Sequence, residues 1–170
     1  FIGLVDTVFD SETLKTLEVG VKTNLSDDLQ LNAYLYTNDW KDKQISLVTP
    51  NGLWSYTDNV GSASATGAEV EVIAQISDSL QITANAAYVD SSLDETVTNA
   101  FGSVVAQKDN RIPIVPQLTY NIAASYSFTV SDELEGKAYT SYSYRDKSFS
   151  DNANTATLVN EDYSNLKLRI

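Results

Sequence analysis

The chain contains no cysteine, no histidine and no methionine among its 170 residues. Without cysteine there are no disulfides and no thiolate metal sites, and without histidine the commonest catalytic base and metal ligand is missing. Ser/His/Asp and Cys/His catalysis therefore cannot be assembled from these residues alone. No stretch approaches the ~18 uninterrupted apolar residues of a membrane-crossing helix, so a helical membrane protein is excluded. Positive charge is scarce, with 11 Lys and Arg against 23 Asp and Glu and a net charge of −12. That balance repels nucleic-acid phosphates and offers no polybasic membrane anchor, so no nucleic-acid partner is expected. Two readings of the acidity stand: a solvated surface, or a vestibule that attracts cations. The chain opens on Phe1 with no basic, hydrophobic leader, which leads us to expect an internal piece of a longer protein.

What is present is alternation. The composition, 42% apolar, looks like an ordinary soluble protein, but strands apolar on one face and polar on the other average to the same value. In "SDDLQLNAYLY", from Ser26, residues Leu29, Leu31, Ala33 and Leu35 share one face and Gln30, Asn32, Tyr34 and Tyr36 the other. The Ser-Asp-x-Leu opening recurs in "SDSLQITANAAY" at Ser77 and "SDELEGKAYTSYSY" at Ser131. A period of roughly fifty residues raises the question of a repeat array. The segments between the copies answer it. Another alternating run precedes each copy (16–25, 66–76 and 118–128), separated from it by a few Ser, Asp or Thr residues, as in a tight hairpin. After each copy comes a long polar connection, roughly 49–62, 91–117 and 147–157. Tight turns alternating with long loops are the signature of an outer-membrane barrel.

One set of positions is apolar throughout: Leu17, Val19, Val21 and Leu25; Leu29 to Leu35; Ala68 to Ile76; Leu80 to Tyr88; Leu118 to Phe128; Leu134, Ala138, Tyr142 and Tyr144; and Leu166, Leu168 and Ile170 in a last strand from Tyr163. The opposite face carries Glu18, Lys22, Asn32, Glu69, Glu71, Gln75, Asn85, Asn121, Glu135, Lys137, Arg145, Lys167 and Arg169. That many ionisable groups cannot line a dry core, but they can line a wet lumen. Tyrosines near strand ends suit either an aromatic girdle at the lipid headgroups, where they face outward, or ordinary cross-strand pairing. The expected fold is all-β: an antiparallel transmembrane sheet of about seven strands. Because sheet edges cannot stay unpaired in lipid, it must be part of a larger closed barrel.

Several segments carry a family resemblance. "SETLKTLEVGVKTNL", "LNAYLYTNDWKDKQISL", "NVGSASATGAEVEV" and "RIPIVPQLTYNIAASYSF" resemble, in order and spacing, the C-terminal half of the barrel in TonB-dependent outer-membrane receptors. The matching elements are Glu18, Gly20 and Lys22; Trp40 to Gln44; and Asn59, Gly61, Ala63, Gly67, Glu69 and Glu71. The resemblance implies a barrel of about 22 strands closed by an N-terminal plug, with energy supplied by the TonB protein. It also implies a bacterial outer-membrane location and import of a ferric siderophore or another chelate, haem, cobalamin or carbohydrate. The plug and TonB box are expected outside residues 1–170, and no terminal strand ending on an aromatic residue is found.

Glu69 and Glu71, two apart on one strand face and so roughly 7 Å apart, fall near the spacing of inverting-glycosidase carboxylates. Such carboxylates flank the substrate from opposing elements, whereas these sit side by side, so no enzyme is expected. With Glu18, Lys22, Asn32, Lys137 and Arg145 they are read as facing the lumen and the plug. Trp54 and Tyr56 in "NGLWSYTDN" suit stacking on a cargo, or packing within the loop, and Arg111 suits an anionic chelate. The irregular "SDNANT" and "VNED" stretches lack the spacing of a calcium loop, so no metal or cofactor is assigned. A passive porin or autotransporter barrel and a soluble β-rich adhesin or repeat protein are the alternatives.

Overall fold

A computed structural model of the chain describes residues 8–49, 51–59 and 61–170. Phe1, on which the chain opens, and Pro50 and Val60 of the 49–62 connection lie outside the described residues. Among the described residues there are only strands. These are β1 (Thr13–Ser26), β2 (Leu29–Lys41), β3 (Gln44–Val48), β4 (Ser55–Asn59), β5 (Ala63–Ser77), β6 (Leu80–Leu93), β7 (Val97–Thr98), β8 (Val104–Ala106), β9 (Leu118–Ser131), β10 (Leu134–Arg145), β11 (Ser148–Phe149), β12 (Val159–Asn160) and β13 (Tyr163–Arg169). Seven of them form one antiparallel sheet in the order β1-β2-β5-β6-β9-β10-β13. Its sequential neighbours are joined alternately by a two-residue turn and a long connection, as expected. All but β13 exceed the ~9 to 11 residues needed to cross a bilayer at a tilt.

The recurring Ser-Asp-x-Leu element builds the tight turns. Asp27–Asp28, Asp78–Ser79 and Asp132–Glu133 are the connecting pairs, and none of them has a positive φ. The left-handed turns that match the twist of a two-residue hairpin are therefore not used. A bulge takes up the mismatch in each case. Ser26, Ser77 and Ser131 pair with Leu29, Leu80 and Leu134, and one residue on the serine side (Leu25, Ile76 or Val130) is left out of the register. The hydroxyls of Ser26 and Ser77 accept from the backbone N–H of Asp28 and Ser79, at 3.3 and 3.4 Å.

Register keeps each face uniform across the sheet. On the apolar face one row runs Val21, Ala33, Val70, Ala86, Tyr120 and Tyr144. Aromatic residues occupy two levels of this face. Tyr88, Tyr120, Tyr142 and Tyr144 lie toward the long connections, with Tyr120 and Tyr144 stacked 5.3 Å apart. Tyr126 and Phe128 stack 6.1 Å apart near the 132–133 turn. Eight residues separate Tyr120 from Phe128, about 26 Å at the rise of a strand, close to the height of the apolar band of a membrane barrel before tilt. Tyr34 and Tyr36 belong to the opposite, polar face, so they form no part of this girdle. Their rings cover Gly20 and Gly67 on neighbouring strands, where a Cβ would collide with them. Glycine there gives an aromatic ring the room to lie flat across the ladder.

The long connections are more ordered than their composition suggests. Each contains a short two-stranded ladder: β3 with β4, β7 with β8, and β11 with β12. The fully buried apolar residues, Ile45, Leu47, Ala63, Leu93, Val97 and Ala106, gather at this end of the molecule in one cluster. The seven-stranded sheet below them contributes only its rim to that core.

Candidate functional site

Two regions carry the polar and aromatic chemistry. The first is the polar face of the sheet. Register lines up Lys22, Asn32, Glu71, Asn85, Asn121, Ser143 and Asn165 in one row across all seven strands. The next row holds Gly20, Tyr34, Glu69, Ala87, Thr119, Arg145 and Tyr163. Asn32 Nδ2 donates to Glu71 Oε2 at 2.7 Å, while the Asn32 carbonyl oxygen is buried without a donor. The Lys22 ammonium lies 5.7 Å above the Tyr34 ring. Glu18 is opposite Tyr36, and Lys137 is opposite Ser127. Among the described residues the one ion pair joins Lys41 to Asp39 at 3.9 Å. The carboxylates of Glu18, Glu69 and Glu71 and the cations of Lys22, Lys137 and Arg145 therefore form no ion pairs with one another. Ala87, small and opposite both Glu69 and Thr119, leaves a shallow hollow of about 270 Å³ bordered by Tyr34, Glu69, Glu71, Asn85 and Thr119.

The second region is the end formed by the long connections. Trp54 and Tyr56 both sit on the β3–β4 hairpin but differ in setting. The backbone of the hairpin tip is clamped: Thr49 N–H donates to the Trp54 carbonyl at 2.9 Å, Trp54 N–H donates to Thr49 Oγ1 at 3.2 Å, and Leu53 N–H donates to Asn51 Oδ1 at 3.1 Å. The Trp54 side chain is 67% exposed. Tyr56 packs against the buried cluster, and its hydroxyl accepts from the Ala100 N–H at 3.2 Å. Trp40, on the polar face of β2, also packs against that cluster and carries the Lys43 ammonium 4.7 Å over its ring. Burial lowers the Lys43 pKa, and nearby Glu12 opposes the shift.

Arg111 lies in the connection between β8 and β9. Its guanidinium is 5.8 Å over Phe149 and donates to the Val115 carbonyl at 3.4 Å. Its backbone exchanges two hydrogen bonds with one side chain: Arg111 N–H donates to Asn154 Oδ1 at 2.6 Å, and Asn154 Nδ2 donates to the Arg111 carbonyl at 2.9 Å. Arg145, at the top of β10, donates to the Ile114 carbonyl at 3.2 Å, and Ile114 holds a left-handed φ of 65°. The two arginines thus tie the connections to each other and to the sheet. Reading the sequence alone missed Leu53, 73% exposed beside Trp54, and Phe101, 44% exposed at the tip of the β7–β8 hairpin. Their only signal there was an Asn and a Gly nearby, Asn51–Gly52 and Asn99–Gly102, at two uncharged turns.

Known proteins share this arrangement. The fold matches the ferric yersiniabactin uptake receptor FyuA of Yersinia pestis with a TM-score of 0.72 at 20% identity, covering 92% of this chain and 22% of that one. It matches the siderophore receptor PiuA of Acinetobacter baumannii with a TM-score of 0.69 at 23% identity, covering 91% and 21%. The ferric preacinetobactin receptor BauA of Acinetobacter baumannii gives 0.68 at 16% identity, covering 91% and 22%. The chain therefore spans between a fifth and a quarter of the length of these structures. At such identities the likeness is one of fold. The sequence itself goes further, since residues 3–170 match the TonB-dependent-receptor-like β-barrel; alternating faces, bulged tight turns and ordered long connections are thus what a segment of that wall looks like, and the chain belongs to the TonB-dependent receptor β-barrel family.

Proposed function

We propose that this chain is a stretch of wall and outer loops from an energy-dependent import receptor of the bacterial outer membrane, carrying a ferric siderophore or a similar metal chelate. The observation that carries the reading is the family match over residues 3–170, and the apolar face left uncovered along all seven strands supports it. In this reading the apolar face meets lipid. The polar face, with Glu18, Lys22, Asn32, Glu69, Glu71, Lys137 and Arg145, meets a plug supplied by the rest of the protein. Unpaired carboxylates and cations on one face are costly unless water or a partner of opposite charge covers them, and a polar plug supplies such groups. Energy would come from the TonB protein acting on that plug. The long connections face the medium, where cargo arrives. Trp54 offers its ring to the cargo, while Tyr56 and Arg111 shape the surface from beneath.

The test is chelate-supported growth and iron uptake in cells carrying the full-length protein. Growth on the chelate lost on deleting either the receptor or TonB supports active import. Uptake that persists without TonB would make the barrel a passive pore.

A further inference from the structure

Resting on the import-receptor reading, we infer that the β3–β4 and β7–β8 hairpin tips together form an uncharged apolar platform that selects a neutral metal chelate, of the trihydroxamate kind, over an anionic tris-catecholate chelate.

The two tips are built alike. Each has an asparagine at its neck whose Oδ1 accepts backbone N–H groups: Asn51 from Leu53 at 3.1 Å, and Asn99 from Phe101 at 3.0 Å and Ser103 at 2.9 Å. Each has a glycine in the left-handed region, Gly52 at φ 71° and Gly102 at φ 78°, where a side chain would be strained. Each holds bulky apolar side chains out in solvent, Leu53 and Trp54 on one and Phe101 on the other. The Tyr56 hydroxyl, accepting from Ala100 N–H, brings the tips to one place, because Tyr56 is two residues from Trp54 and Ala100 adjoins Phe101. A fixed backbone displaying exposed apolar groups at the loop end marks an interaction surface, and its few side chains suit a small molecule better than a protein.

Charge narrows the class. Residues 44–57 and 96–107 contain no Asp, Glu, Lys or Arg. The charged groups flanking them include the acids Asp42, Asp58, Asp94, Glu95 and Asp109 and the cations Lys43, Lys108 and Arg111. Lys43 is engaged with Trp40 and Arg111 with Phe149 and Val115. Those contacts leave both cations charged, but five acids against three cations make the flanks net acidic, so an anionic chelate is disfavoured there while a neutral chelate loses nothing and gains apolar contact. Because Asn51 Oδ1 is turned to the backbone, its Nδ2 is the end left to donate to hydroxamate oxygens.

The experiment measures binding of a ferric trihydroxamate and a ferric tris-catecholate to the folded full-length receptor in detergent. Wild type is compared with the combined Leu53→Ser, Trp54→Ser, Phe101→Ser variant and with Trp54→Phe, folding being checked by the heat-dependent gel shift of the barrel. The expected result is a neutral chelate bound about tenfold or more tighter than the anionic one, weakened by about tenfold or more in the triple variant and little changed by Trp54→Phe. Tighter binding of the anionic chelate, or a folded triple variant that binds the neutral chelate like wild type, would overturn the platform and leave the import reading standing. Binding of neither chelate by the folded receptor would overturn the platform, whereas the import reading falls only if chelate uptake persists without TonB.

Discussion

The seven-stranded sheet and the loop end of this molecule solve the burial problem in opposite ways. At the loop end, the β3–β4 and β7–β8 ladders and the strand rims enclose Ile45, Leu47, Leu93 and Val97, a small core made by the chain itself. Along the sheet no such core exists among the described residues: Leu17 is 73% and Leu168 76% exposed, and both edges, β1 and β13, have one side unpaired among those residues. The loop end carries its stability with it. In the proposed reading the sheet obtains its own from lipid on one face, from polar partners on the other, and from further strands at its edges.

The largest effect that would break this comparison is a charge placed on the apolar face. Val70 lies at the middle of β5, paired with Ala33 and Ala86. Val70→Arg should cost ~2–4 kcal/mol in a membrane-refolding titration. Ala74→Arg, near the 78–79 turn, should cost about 0–1 kcal/mol, since the penalty falls toward the interface. Equal costs at the two positions would mean that this face does not cross a bilayer.

Next comes the polar face. Gly67→Val would drive a side chain into the Tyr36 ring, at a cost of about 1–3 kcal/mol typical of overpacking. Tyr36→Ala in the same protein should recover much of that loss. If it recovers none, the glycine is needed for some other reason.

The alternation, the facing and the hairpins near 26–28, 77–79 and 129–133 were legible because a period of two repeated over a dozen residues is unambiguous, although β9 runs on through Ser131 and the last turn is only 132–133. The loop ladders were not. Val97–Thr98 and Ser148–Phe149 are two residues each, too short to show any period, and each pairs within its own connection across a polar stretch that gives no register signal. The polar facing of Tyr34 and Tyr36 was legible from the alternation, but their packing over Gly20 and Gly67 depends on register with neighbouring strands. Trp54 was legible as a loop aromatic, but the burial of Tyr56 and the grip of Asn154 on Arg111 depend on contacts between distant segments.

Effects that stay local belong to the loop end. Asn154 combines a φ of 54° with the reciprocal bonds to Arg111. Asn154→Ala should raise local amide exchange around Arg111 by an amount worth about 1–3 kcal/mol, with the barrel's melting unchanged. Asn154→Gly relieves the backbone yet still loses the bonds, so it should fall between. Should either variant lower barrel melting, the two regions are coupled more tightly than the comparison allows.

The smallest effect is a pH response. The Asp151 carboxylate accepts from Thr155 Oγ1 at 2.6 Å and from Thr155 N–H at 2.9 Å, which lowers its pKa below the usual value. A lowered pKa means that the stabilisation is complete above the ordinary Asp value of about 3.9 and is lost as pH falls through the lowered one. Protection of the Thr155 amide should therefore be flat from neutral pH down to the ordinary carboxylate range and decline only below it. Asp151→Asn should remove that decline.

The central claim is that the two faces of the sheet meet different media, and β5 tests it most directly. Because this chain has no cysteine, single thiols at residues 69, 70, 71 and 72 of a full-length receptor otherwise free of cysteine can each carry a spin label in a bilayer. Labels at 70 and 72 should collide with oxygen dissolved in lipid and be shielded from a water-soluble nickel chelate, while labels at 69 and 71 should show no lipid contact. A period of two in oxygen accessibility is the predicted result, and equal accessibility at all four positions would contradict it.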